Sequence, residues 1–308
     1  MPDYGHDIQF GYFLDPAIGD PEGTLQTARM VDEMGFDLIG IQDHPYIETH
    51  FDCYSLMAMV LAQTQNVRVF PDVTNMQMRD AALVANAAAS MDQLSGGRFE
   101  LGIGGGAPFF HDRAVAMGAS PMSAGETVTA MEEVIAVCRA FWSGKADARV
   151  NGIFHQIAGT HGGPRPAHDM EIWVGASGPR MLDLIGQAAD GWVIPLMHYM
   201  APSVAASNSL LIDESARKNG RDPSDIRRIY NCVGQFTDEV KSGASDDDIR
   251  IVGPVDLWID VLAHQAIDFG FSSFILIGPP NAKKLEAFIN EVAPAVRERV
   301  QTHRNSQG

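Results

Sequence analysis

Apolar positions along this chain gather into eight short runs separated by longer amphipathic stretches. The runs are IQFGYFL from Ile8, DLIGI from Asp37, VRVFPDV from Val67, RFELGIG from Arg98, EIWVGA from Glu171, GWVIPL from Gly191, RRIYNCVGQF from Arg227 and SSFILIG from Ser272. Several are almost continuously apolar, the pattern of parallel strands buried on both faces. The intervening stretches have helical spacing: Leu25, Ala28, Met30, Val31 and Met34 in one, Leu83, Val84, Ala87, Ala88 and Met91 in another. A longer one, from Gly125 to Trp142, sets Met131, Val134, Ile135, Cys138, Phe141 and Trp142 on one stripe. Gly35, Gly96 and Gly270 stand where left-handed helix caps are expected.

The first four runs begin about 30 residues apart, one strand–helix unit each. Eight such units in 308 residues predict a (β/α)8 TIM barrel, an α/β fold, rather than an open doubly wound sheet. No Pro/Ser linker or change of composition marks a boundary, so a single domain over residues 1–308 is expected. Two segments exceed what a minimal barrel needs. One is 105–124; the other is 143–170, where ARVNGIFHQI alternates around Asn151-Gly152 as a short hairpin would. Insertions after strands belong to the C-terminal face, where barrel active sites sit, and this makes 105–124 a candidate substrate wall. The polar stretch 237–254 reads as a mobile loop.

Composition narrows the function classes. Apolar residues are 45% and charged residues 20%, with a formal charge of -17, so clustered cations for nucleic-acid phosphates are lacking. There is no run of 18 apolar residues, MPDYGHDIQFGYF lacks the basic region and apolar stretch expected of a signal peptide, and Cys53, Cys138 and Cys232 read as reduced core thiols. A cytoplasmic protein is expected, with a small-molecule substrate and a second copy of the chain as partners, and with no nucleic acid and no membrane.

Four stretches hold candidate chemistry. IQDHPY places Asp43 and His44 just after the second run, with Pro45 ending that strand. The pair would orient a general acid or bond a polar ligand edge, or else be a capping Asp beside an exposed His. VFPDVTN supplies Asp72, Thr74 and Asn75 either to a flat heterocycle or to an Asx turn. WVGASGPR runs a strand into Gly175, Ala176, Ser177 and Gly178, with Pro179 opening a helix and Arg180 adding a positive charge. This suits a phosphate, or equally a tight turn with a capping Ser. LGIGGGAPFF matches a dinucleotide-loop spacing at Gly102, Gly104 and Ala107, but no helix follows at once and three strand–helix units precede it. The context therefore favours a barrel strand whose end, at Gly104 and Gly106, leaves room for a ligand. His111 and Asp112 lie in the insertion and face either substrate or solvent. No HExxH, CxxC or EF-hand loop supports a metal, and no GxSxG elbow supports a hydrolase.

Together these stretches carry a resemblance. AASMDQLSGGRFELGIGGG (Ala88–Gly106), GPRPAHDMEIWVGASGPRMLDLIGQAADGW (Gly163–Trp192), LIGIQDHPY (Leu38–Tyr46) and FGFSSFILIG (Phe269–Gly278) resemble the bacterial luciferase-like monooxygenase family of flavin and deazaflavin oxidoreductases. The resemblance implies a barrel that binds FMN or coenzyme F-420 non-covalently and performs hydride transfer or monooxygenation. It implies that Asp43 and His44 flank the ring system as catalytic residues. Asp72-Val73 would occupy the place where the deazaflavin branch often has a non-prolyl cis peptide against the ring face, with Thr74 close by. Gly175 to Gly178 would hold the phosphate, adjoined by Pro179 and Arg180.

The deazaflavin sugar-phosphate dehydrogenases have a catalytic Glu after the glycine run, where this chain has Ala107. Acid/base chemistry would then fall to His44 or His111, and Phe109 and Phe110 would line an apolar or aromatic substrate surface. Two other readings stay open: a non-catalytic flavin-binding barrel protein, and a metal- or Schiff-base-dependent lyase, disfavoured because the strands hold no Lys.

Overall fold

The computed structural model describes residues 3–106, 108–196 and 199–307. All eight apolar runs form strands: β1 Gln9–Phe13, β2 Leu38–Ile41, β3 Arg68–Pro71, β4 Leu101–Gly104, β5 Ile172–Gly175, β6 Gly191–Ile194, β7 Arg227–Phe236 and β8 Ser273–Ile277. They pair in parallel in the order β3-β2-β1-β8-β7-β6-β5-β4. A parallel bridge between Val69 and Phe99 joins the two ends of this order and closes the ring. In it, the Val69 N–H donates to the Arg98 carbonyl at 2.9 Å and the Glu100 N–H to the Val69 carbonyl at 3.1 Å. Past β3 the chain re-forms as a two-residue strand, Thr74–Asn75, on Ile103 and Gly104 of β4. The barrel expected from the spacing is the fold observed.

The interior is packed by Leu38, Phe70, Trp173, Val193, Ile229 and Ile275, with Phe13 and Val73 against them. Trp173 fits because its neighbour on β6 is Gly191, where a Cβ would run into the indole. Phe70 meets Trp173 edge-on at 5.0 Å between ring centroids. Such a plug leaves no pore, so any ligand must sit above it at one end. The N-terminal end is sealed by charge. Arg68 meets Glu100 at 3.0 Å, His168 bridges Asp92 at 2.9 Å and Glu100 at 3.0 Å, and the Trp173 Nε1–H donates to Glu171 at 2.6 Å.

The helices coat the outside and are stopped by local chemistry. Asp52 caps Cys53–Gln63, Asp80 caps Ala81–Ser95, and a Ser123–Glu126 capping box opens Ala124–Trp142. Gly35, Gly96 and Gly270 close their helices at φ of 87°, 73° and 73°. The 143–170 segment contains the expected hairpin, Ala148–Asn151 with Gln156–Thr160.

Two expectations change. Strand β2 ends at Ile41, so Pro45 does not terminate it. The polar stretch 237–254 is folded on itself. Ile251–Gly253 pairs with the far end of β7, Ser242 bridges Val252, and the Asp248 carboxylate accepts from the N–H groups of Gly243 and Ser245. The short apolar run IVG and a turn-bonding Asp outweigh the polarity around them. Among the described residues no helix is long and apolar enough to cross a membrane.

Candidate active site at the C-terminal end of the barrel

The C-terminal strand ends bring the candidate residues to one mouth. Across it the Asp72–Val73 peptide, which is cis, leads from β3 to Thr74–Asn75. Val73 lies over the ends of β4 and β5, where a Cβ on Gly104 would come 2.6 Å, and one on Gly175 2.9 Å, from its Cγ2. The room at Gly104 and Gly175 is thus occupied by Val73, and these glycines let the segment reach over the barrel. Gly106, at φ 87°, turns the chain away beside Asn75 and Gln77, and Gln77 Nε2 donates to the Gly105 carbonyl at 2.7 Å. Thr74 is fully buried, its hydroxyl 2.9 Å from the Tyr54 phenol.

Asp43 and His44 divide sharply in environment. Asp43 is 1% exposed, and its oxygens accept from Arg79 Nε at 2.7 Å, Arg79 Nη2 at 2.8 Å and the Asn75 N–H at 3.0 Å. Arg79 reaches on to Asp52 at 2.6 Å and stacks 4.3 Å from the Tyr54 ring. This is a bidentate pair with a third hydrogen bond from the backbone. The neighbouring His44 is half-buried, with Nδ1 2.8 Å from the Tyr46 phenol. Burial lowers its pKa despite the opposing charge of Asp43, so the imidazole is neutral at pH 7. The hydrogen bond to Tyr46 holds the ring, the phenol donating when the ring proton is on Nε2 and accepting when it is on Nδ1.

An aromatic wall stands beside His44. Phe110 lies 5.1 Å from His44 and 5.2 Å from Tyr46, Phe109 lies 4.7 Å from Phe110, and Phe109 meets Tyr199 at 5.8 Å. Phe109 and Tyr199 are 63% and 60% exposed, an apolar surface open to a ligand. His111 opens the short helix His111–Ala116, and among the described residues no hydrogen bond, ion pair or ring contact joins it to His44. Ala107, the position of the missing Glu, lies outside the described residues.

On the β5 side, the helix Pro179–Ala188 starts at Gly178 with no side chain capping it. Ser177 is therefore not a helix cap. Ser177, Gly178, Pro179 and Arg180 are exposed, and a Cβ on Gly178 would meet nothing within 4 Å. Among the described residues the N–H groups of Ser177 and Gly178 have no backbone acceptor, while Trp192 Nε1–H pins the Ala176 carbonyl at 2.9 Å. Arg180 Nη1 lies 3.2 Å from where a Cβ on Gly125 would be, against the start of Ala124–Trp142. Exposed N–H groups and a helix N-terminus meet here, with Arg180 in the first turn of that helix.

A sequence profile of the luciferase-like monooxygenase family matches residues 8–239. The chain belongs to that family. A 5,10-methylenetetrahydromethanopterin reductase from Methanolobus tindarius is 32% identical over 216 residues, which is 70% of this chain and 62% of that protein. An F420-dependent glucose-6-phosphate dehydrogenase from Microbacterium testaceum is 25% identical, over 60% of this chain and 56% of its own. The chain thus spans about three-fifths of the length of these luciferase-like relatives. In structure it resembles a coenzyme F420-dependent tetrahydromethanopterin reductase from Methanopyrus kandleri, with a TM-score of 0.80, 18% identity, and coverage of 94% of this chain and 99% of that one. It likewise resembles an F420-dependent secondary alcohol dehydrogenase solved with an F420–acetone adduct, with a TM-score of 0.81, 19% identity and the same coverage. Among the described residues there is no cluster of metal-ligating side chains.

Arg79 and Asn231 also belong to this site, though no motif singles them out. Arg79 sits in no recognisable motif. Asn231 had a signal: it is the polar residue of an otherwise apolar, buried stretch of β7.

Proposed function

We propose that this protein is a deazaflavin-dependent oxidoreductase that transfers hydride to or from a small, partly apolar organic molecule, with coenzyme F-420 as cofactor. The observation that carries the reading is the mouth itself: an uncapped helix start with Arg180 on one side, neutral His44 on the other, and the Asp72–Val73 segment between them. The residues fit such a group. The N–H groups of Ser177 and Gly178, with Arg180, would hold its phosphate. Below the ring position, Asp72 Oδ2 and Asn231 Oδ1 are buried polar atoms without a partner. The curated relatives described above are F420-dependent by name in one case and act on a pterin in the other.

When bound, the ring supplies the hydride carrier, and the protein supplies position and proton control. His44 holds or takes the substrate proton at Nε2, with the ring held in place by the Tyr46 phenol at Nδ1. Asp43, held by Arg79 and the Asn75 N–H, is a positioning residue that anchors the segment carrying His44. Phe109, Phe110 and Tyr199 exclude water and offer the substrate an apolar wall. FMN fits the same phosphate end and stands second, because a sequence relative described above is F420-dependent by name.

The test is His44→Gln. It is expected to bind oxidised coenzyme F-420 as the wild type does, while oxidation of the reduced coenzyme by a panel of ketones and alkenes falls by 100-fold or more. Equal turnover in the variant would remove His44 from the mechanism.

A further inference from the structure

Asp72 and Asn231 face each other across the barrel. In an eight-stranded ring β3 and β7 are four strands apart, so the two side chains come from opposite walls and meet on the axis, directly above the apolar plug. Asn231 uses both its N–H groups: Nδ2 donates to Asp72 Oδ1 at 3.3 Å and to the Ile194 carbonyl at 3.3 Å. Two acceptors are then left over, Asp72 Oδ2 and Asn231 Oδ1, both buried and both without a donor. Gly40 on β2 lies under the carboxyl, where a Cβ would come 3.1 Å from Oδ2.

A buried carboxylate with one long amide contact is poorly compensated. One added proton repairs the arrangement. An O–H on Asp72 supplies the only missing donor, and an acid and a primary amide are complementary, each giving one hydrogen bond and taking one.

We propose that Asp72 and Asn231 form a carboxylic acid–amide pair across the barrel axis, with Asp72 the proton-bearing member, and that a flavin-type ring binds above this floor only while the pair is neutral. The second half rests on the proposed function. A flat ring laid over the mouth strips the remaining water from Asp72, which is still partly exposed, and an ionised carboxylate would then be buried under it without a counter-charge.

The surroundings agree. Burial pushes the Asp72 carboxyl up to about 7, against the opposing pull of the Asn231 amide. From the neighbouring elements it is faced by Gly40 and Phe70, by Asn231, and by the Cys53 thiol of Cys53–Gln63, which burial keeps protonated. Among the described residues no charged group contributes to its perturbation.

Infrared spectroscopy of the ligand-free protein tests the pair, and the pH dependence of ring binding tests the linkage. The expected result is a protonated-carboxyl C=O band at pH 6 that is absent in Asp72→Asn, fades as pH rises through neutrality, and moves to higher wavenumber in Asn231→Ala, where the hydrogen bonds to the amide are lost. Affinity for coenzyme F-420, followed by fluorescence, should fall about 100-fold relative to Asp72→Asn between pH 6 and pH 9, as a single required proton dictates. Absence of an Asp72-dependent band, or its loss near pH 4, overturns the pair. An affinity ratio to Asp72→Asn that stays constant with pH overturns the linkage. Failure to bind either F-420 or FMN at any pH overturns the proposed function instead, and the carbonyl band still decides the pair. Should Asp72→Asn fail to fold, the shift of the band in Asn231→Ala decides it alone.

Discussion

Replacing Arg79 by Met removes the cation that compensates Asp43 and leaves the rest of the segment in place. Asp43 is 1% exposed and receives two of its three hydrogen bonds from that guanidinium, at 2.7 and 2.8 Å. Breaking a buried pair from one side strands the remaining charge, at about 3–5 kcal/mol. The link to Asp52, 45% exposed, adds about 0–1 kcal/mol, and the stacking on Tyr54 about 0.5–1 kcal/mol. Arg79→Met should therefore cost about 3.5–7 kcal/mol in urea unfolding followed by circular dichroism. The sharper statement concerns the double variant. Asp43→Asn together with Arg79→Met has no stranded charge and should recover more than half of that loss, since an amide can still accept from the Asn75 N–H. A cost below about 1 kcal/mol, or no recovery in the double variant, would refute the claim that the charge of Asp43 is buried and held by Arg79.

Two further perturbations probe other parts of the account. Hydrogen bonds to Asp92 and Glu100 raise the His168 pKa to about 10, above its unfolded value, so its contribution is complete below pH 6.5 and disappears as pH rises through 10. His168→Asn should accordingly be less stable than the wild type at pH 6, with the gap closing by pH 10 in parallel urea titrations; a constant gap contradicts this assignment. Arg180→Ala should weaken binding of FMN about tenfold, the worth of one charge-assisted contact, and leave phosphate-free riboflavin unaffected by fluorescence titration. Equal losses for both ligands would place the phosphate elsewhere.

The fold was legible because barrel strands buried on both faces are apolar end to end, and all eight runs emerge as strands. Glycine caps and the Asn151-Gly152 hairpin were legible for the same reason: local backbone demands single out residue types. The glycine run at β4 was only half legible. It marks a strand end, but that the vacant space belongs to Val73 depends on a segment 30 residues earlier and is a tertiary fact. The same holds for Asp43, whose motif suggests chemistry, while its partner Arg79 lies 36 residues on and makes it an anchor. Asn231 shows what remains readable in principle, since a polar residue amid a buried apolar strand signals a partner across the core.

The central claim, that the mouth is a flavin-type ring site with its phosphate at Gly175 to Gly178, meets its most direct test in fluorescence titration of the purified protein. Coenzyme F-420 and FMN would be titrated side by side. Saturable binding of F-420 at micromolar concentration, tighter than that of FMN, is the expected result; no saturable binding of either ligand would contradict the account.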